Sequence, residues 1–554
     1  MSHITRLSIK NYRGIKDLTH EFGNEKFIVL IGRGNSGKST ILSAIYAVLS
    51  PSWNMTFSDL DFHDQNTTTP IEIEATLKEL PNEFLTESKY GLYIQNDLNE
   101  DCQQEDLSII VKLTVDETLE PHWVVKAREG LDNDDKPISG ADRALIAVNF
   151  ITDYTDNQFA YNRQSPLYAL TKTKLAENKT IERVKSELIR SMASSASEKD
   201  LLQPLNAPLE ELKRTAEKLG LNITDLCAQL DIKENPYTGN SISLHNDSLP
   251  YRLHGKGSKR LMSIAIQSEM TKQGGIVLID EIEQGLEPDR ITTLVRILKN
   301  TKHGQVFITT HNSNVVTECD CRNLFVRLHD STTLLNVSMD LYACHRYNPN
   351  VFFAKRIILC EGDTEQGFLQ SIDSWLLNNK FINFSSLGIV IANVGGGANM
   401  YVYALRLNEL GYKTCIFADN DKPQELKPKK DECEEKGIVS FLCEEGNCME
   451  KQLLKDLSWS GISNIIQCDQ KSFPKIHVIP SKFKEQIEKA SNQDQQQKIR
   501  NDIANRAITD KWFKHIQGGE FIGNVFIQDW NNIQENHISK TIVALLNWCN
   551  IAYD

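Results

Sequence analysis

Apolar and polar residues alternate loosely over residues 3–11, with Ile4, Leu7 and Ile9 as the apolar set, and this predicts an edge strand. The apolar run FIVLI at 27–31 stops at a glycine-rich stretch, as a buried strand feeding a turn does. Ile41, Leu42, Ile45 and Leu49 then recur at helical spacing. Alternation returns at 71–77 (IEIEATL), 107–115 (LSIIVKLTV) and 122–127 (HWVVKA), predicting strands. Residues 1–154 therefore read as one helix wrapped by sheet, the first lobe of a domain.

The period changes after residue 155. Ile181, Val184, Leu188, Ile189 and Met192 recur at helical spacing, as do Leu209, Leu212, Ala216 and Leu219 after Pro204 and Pro208. Residues 155–235 are expected to be a helical insertion and a candidate subunit contact. Short apolar runs at 276–280 (IVLID) and 306–310 (VFITT) restore buried strands and assign 236–347 to the second lobe. A second alternation runs through RIILC (356–360), GIVIANV (388–394) and TCIFAD (414–419), which predicts another parallel sheet over 348–455. The stretch 420–436 reads as a charged, proline-containing loop, and 456–554 as a mixed helical extension with QDQQQ (493–497) on a solvated face. The fold class expected is α/β throughout.

Composition narrows the function. The 554 residues carry 61 Lys and Arg against 74 Asp and Glu, a net charge of −13, which excludes a wholly basic nucleic-acid coat. DNA would have to meet a local basic surface or bound metal. No stretch reaches the roughly 18 apolar residues of a membrane span, and the first residues lack the apolar core of a secretory signal. The 12 cysteines are scattered without paired C-x-x-C sets, so reduced thiols and a cytoplasmic location are expected.

The loop after the FIVLI strand reads Gly32-Arg33-Gly34-Asn35-Ser36-Gly37-Lys38-Ser39-Thr40 and fits G-x-x-x-x-G-K-[ST] between a strand and a helix. In such a loop backbone N–H groups wrap phosphates, Lys38 reaches the β- and γ-phosphates, and Ser39 ligates Mg²⁺. Much further on, Asp280 ends an apolar strand and can hold Mg²⁺ through water, while Glu281 orients or deprotonates the attacking water. His311 closes the next strand as a sensor of the γ-phosphate. Gly255, Gly257 and Ser258 precede an apolar helix and offer a second anion site. ATP is the cofactor these residues imply.

In this order the motifs resemble the ABC-type ATPase heads of structural-maintenance (SMC) and RecF-like proteins, over about residues 1–345. The opening IKNYRGI resembles their first strand, which brings in Arg13. The resemblance implies a composite site, with the phosphate loop of one subunit facing Gly255–Ser258 of another, hence a homodimer or higher even oligomer. Two departures stand out: the signature reads GKGSKR rather than S-G-G-Q, and Gln65 is a weak candidate for the Q-loop glutamine, whose position is not clear.

A second set lies on the later strands. Glu361 ends one strand, Glu365 follows one helical turn later, Gly395-Gly396-Gly397 ends the next, and Asp419 and Asp421 end a third. Strand C-termini of a parallel sheet meet on one edge. Carboxylates without histidine or cysteine suit Mg²⁺ or Mn²⁺, which clamp the attacking and leaving oxygens of a phosphodiester. This set resembles the Toprim fold, and an ATPase head followed by Toprim is the layout of the OLD (overcoming lysogenization defect) family, with Gabija nuclease subunits and retron-encoded effectors similar. The resemblance implies a DNA endonuclease governed by ATP and serving phage defence. It also implies Glu450 as a later metal ligand and Lys540 as the lysine that stabilises charge on the scissile phosphate. Partners implied are double-stranded DNA and a second defence component, such as a helicase or a reverse transcriptase with its RNA. The rival expectation is a RecF- or SMC-like DNA-binding ATPase of repair whose Toprim part does not cleave.

Overall fold

The computed structural model describes residues 2–551, except 98–105, 129–133, 152–155, 162–164, 175–180, 182, 185–201, 203, 231–241, 272–274, 301–303, 330 and 468–479. It divides into two compact units, Met1–Asn336 and Val337–Asp554. The segment after Asn336 packs within the second unit, where Arg406 grips Asp340 at 2.7 Å.

In the first unit, strands β1 (His3–Tyr12), β2 (Ile15–Glu21), β4 (Ile71–Lys78), β5 (Gln95–Asp97), β6 (Asp106–Val115), β7 (Pro121–Val125) and β8 (Lys136–Pro137) form one seven-stranded sheet. All its pairings are antiparallel. The strand at 3–11, expected at an edge, is interior: β1 pairs with β2 on one side and β4 on the other. Its apolar residues Ile4, Leu7 and Ile9 are fully buried. They share a core with Ile41, Leu42 and Ile45 of helix α1 (Lys38–Leu49). Trp123 ties sheet to helix by donating to the Ala47 carbonyl at 3.0 Å.

Strand β3 (Phe27–Ile31) belongs to a different, mostly parallel sheet, with β9 (Val148–Ile151), β13 (Ile276–Ile279), β14 (Gln305–Thr309), β15 (Leu324–Val326) and β16 (Leu335–Asn336). β14 lies between β3 and β13, parallel to both. The three strand ends that carry phosphate-loop, acidic and histidine chemistry are therefore adjacent. Between β9 and β13 come helices α2 (Pro166–Lys174), α3 (Leu209–Lys218) and α4 (Lys256–Thr271), with a small antiparallel sheet of β10 (Leu226–Leu230), β11 (Ile242–Asn246) and β12 (Leu249–Pro250). The stretch 155–235 is thus not all helix, since β10 pairs with β11. Leu209, Leu212 and Ala216 do form the buried face of α3, whereas Leu188, Ile189 and Met192 lie outside the described residues. After β13, helix α5 (Pro288–Lys299) leads into β14.

The second unit is built on four parallel strands in the order β18 (Ile389–Asn393), β17 (Arg356–Cys360), β19 (Lys413–Ala418), β20 (Val439–Leu442). Helices α6 (Asp363–Lys380), α7 (Ala398–Glu409) and α8 (Pro423–Glu435) make the crossovers. α8 replaces the loop expected at 420–436. Pro423 sits at its first position, where no N–H is needed, and the Glu and Lys residues that suggested a loop are good helix formers. Cys433 is its buried anchor. Helices α9 (Met449–Asp456), α10 (Trp459–Gln467), α11 (Ser481–Lys489), α12 (Gln493–Thr509), α13 (Ile516–Gln528) and α14 (His537–Trp548) complete the unit around one core. The ten described cysteines are free thiols, nine of them buried. No helix among the described residues is long and apolar enough to cross a membrane.

Candidate functional site

The phosphate loop takes its shape from residues that tolerate positive φ. Gly32 (φ 133°), Asn35 (φ 60°) and Gly37 (φ 91°) turn the chain between β3 and α1. A Cβ on Gly32 would lie 2.5 Å from the Arg327 carbonyl oxygen, so no larger residue fits. The Lys38 ammonium is buried among the loop carbonyls of Gly32 (2.9 Å) and Arg33 (2.8 Å). Burial pulls its pKa down to about 8, against the nearby charges of Asp280, Glu281 and Glu283. Ser36 is buried, while Gly34 and Ser39 are exposed and Thr40 is half-buried.

Asp280 joins the strands at this end. Its Oδ1 accepts from Ser39 Oγ at 2.9 Å and from Thr309 Oγ1 at 2.6 Å. The hydroxyl expected on Mg²⁺ and the acid expected behind it are thus direct partners. Glu281 has φ 47°, an uncommon conformation for a side-chain-bearing residue. It is held there by its N–H on Thr309 Oγ1 (2.8 Å) and by Arg260, which donates to the Asp280 and Glu281 carbonyls. Glu283 was not foreseen. It accepts from the His311 N–H at 2.6 Å and from Thr310 Oγ1 at 2.8 Å, so it sets the turn that presents His311. Burial first, then the Lys38 charge, lower the His311 pKa.

Arg13 (φ 47°) lies in the β1–β2 turn and donates to Asp61 Oδ1 at 2.8 Å. A Cβ on the next residue, Gly14, would stand 4.0 Å from Thr40 Oγ1, so this turn abuts the start of α1. Gln65 is exposed in the following loop. In the GKGSKR segment, Gly257 is pressed on Gly285: a Cβ there would lie 2.5 Å from the Gly285 carbonyl oxygen. Gly255 is exposed and Ser258 half-buried at the start of α4.

The second cluster forms where β17 and β19 end side by side. Glu365, on the first turn of α6, is 2% exposed, and Glu450, on the first turn of α9, is 1% exposed. Asp419 accepts the Met449 N–H at 2.6 Å. Glu365 and Asp419 lie close enough for the charge of each to act on the other. Burial raises the pKa of both, and for Asp419 the Glu365 charge adds to it. Such groups titrate as a unit. Glu450 Oε2 is buried without a hydrogen-bond partner. The cation facing them is Lys514, 3.2 Å from Glu450 and 3.8 Å from Asp419. Burial acts against its charge, but Glu450, Asp419 and Glu365 hold its pKa above the ordinary value.

The other acids are arranged around this group differently. Glu361 is half-buried, and its Oε1 accepts from Gly397 N at 3.4 Å. Gly395, Gly396 and Gly397 all have positive φ, a run that glycine alone adopts readily. Asp421 is exposed beyond the end of β19. Lys540 is not with the acids: its ammonium pairs with exposed Glu535 at 3.0 Å. Lys514 is the lysine that lies beside the acids. No motif surrounds Lys514, and only the packing of α13 behind α6 brings it to Glu450.

Among the described residues, no three His, Cys, Asp or Glu side chains already form a metal cage. The donor chemistry nevertheless fits a hard divalent ion. It is all carboxylate oxygen, it is buried, burial and then the Glu365 charge raise the Asp419 pKa, and Glu450 keeps an unpartnered oxygen. Ligation would require Lys514 to give way.

A family model described as an AAA ATPase domain matches residues 3–316. The chain belongs to that ATPase family. A second model, the TOPRIM domain of overcoming lysogenization defect protein-like proteins, matches residues 352–421. The chain is thus an AAA ATPase domain followed by an OLD-like Toprim domain, the layout of the OLD family. A curated relative, an "ATP/GTP phosphatase" of Helicobacter pylori (strain ATCC 700392 / 26695), is 22% identical over 351 residues, covering 56% of this chain and 86% of the relative. The Smc head domain with an extended coiled coil, bound to the C-terminal domain of ScpA, from Pyrococcus furiosus is similar at 13% identity and a TM-score of 0.39, covering 61% of this chain and 97% of that one. The recombination mediator protein RecF, as RecF-ATPrS in the RecFOR pathway, is similar at 14% identity and a TM-score of 0.37, covering 61% of this chain and 98% of that one.

Proposed function

We propose that this OLD-type ATPase–Toprim protein is a metal-dependent DNA endonuclease whose cleavage is governed by ATP binding and hydrolysis, and that it acts in phage defence. The observation that carries the reading is the buried Glu365–Asp419–Glu450 group faced by Lys514 at the carboxyl edge of a parallel sheet. Glu361, Glu365, Asp419 and Glu450 would hold Mg²⁺ or Mn²⁺, with Asp421 available at the rim. A bound divalent ion there supplies an activated water and charge for the departing oxygen. Lys514 neutralises the acids and, displaced from them, is a cation for the phosphate being cleaved. The Gly397 N–H, at the end of the Gly395–Gly397 turn, would help hold Glu361 in place.

In the ATPase domain, the loop N–H groups and Lys38 bind the triphosphate, and Ser39 and Asp280 position Mg²⁺. Glu281 activates water, and His311, set by Glu283, faces the γ-phosphate. The phosphatase name of the curated relative supports nucleotide hydrolysis. Gly255, Gly257 and Ser258 would complete the site of a second copy, making the active form a homodimer or higher even oligomer. A helicase, or a reverse transcriptase with its RNA, is the kind of defence partner it would serve in the cytoplasm.

The test is incubation of the purified chain with plasmid DNA, with Mg²⁺ or Mn²⁺, with and without ATP. Nicking that stops with EDTA supports the reading. The second reading, a DNA-binding ATPase of repair with a non-cleaving Toprim domain, is favoured by one observation: Lys514 stands where acids alone would make a metal cage. Metal-independent DNA binding with no nicking under any of these conditions selects it.

A further inference from the structure

A cavity of about 440 Å³ opens at the carboxyl end of β20 in the Toprim unit. Its walls come from β20, α8 and α14. His537, Lys540, Thr541 and Ala544 line it from one helical face, Lys430 from α8 and Ser440 from the strand. None of the lining residues is acidic, although the chain carries a net charge of −13. Ser440 Oγ is buried there without a hydrogen-bond partner. Lys430 and Lys540 meet only exposed carboxylates outside the lining, Glu434 at 3.6 Å and Glu535 at 3.0 Å, which are contacts a stronger anion displaces. His537 holds the wall together through Nε2 on the Leu442 carbonyl at 2.9 Å.

The cavity borders the acid cluster. Asn420, the residue after Asp419, lines it and donates to the Cys443 carbonyl at 3.0 Å. Cys443 also lines it and touches Met449 Sδ at 3.9 Å, whose own N–H binds Asp419. One wall therefore separates two lysines and an unpaired hydroxyl from the buried carboxyls.

We propose that this cavity binds a backbone phosphate of a DNA strand, adjacent to the phosphodiester presented to Glu365, Asp419 and Glu450. Lys430 and Lys540 contact the phosphate oxygens, and Ser440 donates the hydrogen bond it otherwise lacks. Lys540 is then a positioning residue for the strand, not part of the cleavage chemistry. The proposal rests on the reading of this unit as DNA-binding.

The experiment uses the full chain and a short fluorescein-labelled DNA duplex. Anisotropy titrations in EDTA at several salt concentrations are followed by cleavage kinetics in Mn²⁺. Lys430→Ala/Lys540→Ala should weaken binding about tenfold and lower the slope of log Kd against log salt by about 1.8, as the loss of two phosphate contacts requires. Lys430→Arg/Lys540→Arg should bind within about twofold of wild type. Ser440→Ala should weaken binding about threefold without lowering the melting temperature, which separates ligand contact from folding. In cleavage, KM should rise at unchanged kcat. Unchanged affinity and slope in the double alanine variant overturn the proposal, as does a fall in kcat at unchanged KM. Wild-type protein that binds DNA but never cuts it, with the variant losses as stated, removes the nuclease reading and supports the phosphate site. Wild-type protein that does not bind DNA overturns both.

Discussion

At the residue scale, charge burial separates the roles of neighbouring acids and lysines. Lys38 is already desolvated against carbonyls, so its cost of burial is met before nucleotide arrives. Lys38→Ala should abolish ATP hydrolysis, read as phosphate release, with the melting curve little changed. Glu281→Gln keeps the backbone bonds to Thr309 and Arg260, because these use main-chain atoms. It should bind ATP within about threefold of wild type and hydrolyse it roughly 10²–10⁴-fold more slowly. Asp419 provides a pH signature. Folding moves its pKa from the ordinary acid range to about 9. The folded chain then keeps a proton that the unfolded chain has released, so this group lowers stability as pH rises from about 4 towards 9. In EDTA, the melting temperature should fall over that window, and Asp419→Asn should flatten the fall. An equal slope in the variant would assign the dependence to other groups.

At the element scale, the acid site depends on how closely α6 and α13 cross. Cβ atoms on Gly367, Gly519 and Gly523 would lie 2.0 Å from the Ile516 carbonyl oxygen, 2.2 Å from the Thr364 carbonyl oxygen and 2.0 Å from Ser371 Oγ. These glycines let α6, which carries Glu365, lie against α13, which begins just after Lys514. Thr364 fastens the join by donating to the Phe513 carbonyl at 3.0 Å. Gly519→Ala should therefore cost roughly 2–3 kcal/mol of stability in the Toprim unit. It should also shift Glu365 relative to Asp419 and Glu450, reducing DNA cleavage while ATP hydrolysis continues. The crossing explains what was legible beforehand. Loop and strand-end chemistry is local, so 32–40, 280–281, 361 and 395–397 could be read from short patterns. Glycines inside helices, Lys514 and Glu283 have meaning only through residues far away in sequence. Alternation over 3–11 suggests an edge strand because it records one buried face and not the number of pairing neighbours. The helix at 423–435 reads as a loop in sequence because its charged face and Pro428 outweigh one buried cysteine.

At the scale of the whole molecule, the two chemistries occupy different sheets in different compact units. Phosphate-loop residues draw on β3, β13 and β14, and the acids draw on β17 and β19, with no strand in common. A substitution confined to one side should therefore leave the other side's chemistry intact and alter only its control. Glu361→Ala should eliminate plasmid nicking at an ATPase rate close to wild type. Lys38→Ala should retain metal-dependent nicking, but the rate should no longer respond to added ATP. Assembly enters here through the proposed function, in which GKGSKR, held on Gly285 of its own chain at the start of a helix, would face the phosphate loop of a second copy. If the composite site is correct, Glu281→Gln with ATP and Mg²⁺ should shift to a dimer mass or larger in light scattering, and Lys38→Ala should not. A Glu281→Gln chain that stays monomeric, yet still shows ATP-dependent nicking, would mean that control passes within one chain and that dimer closure is not its basis.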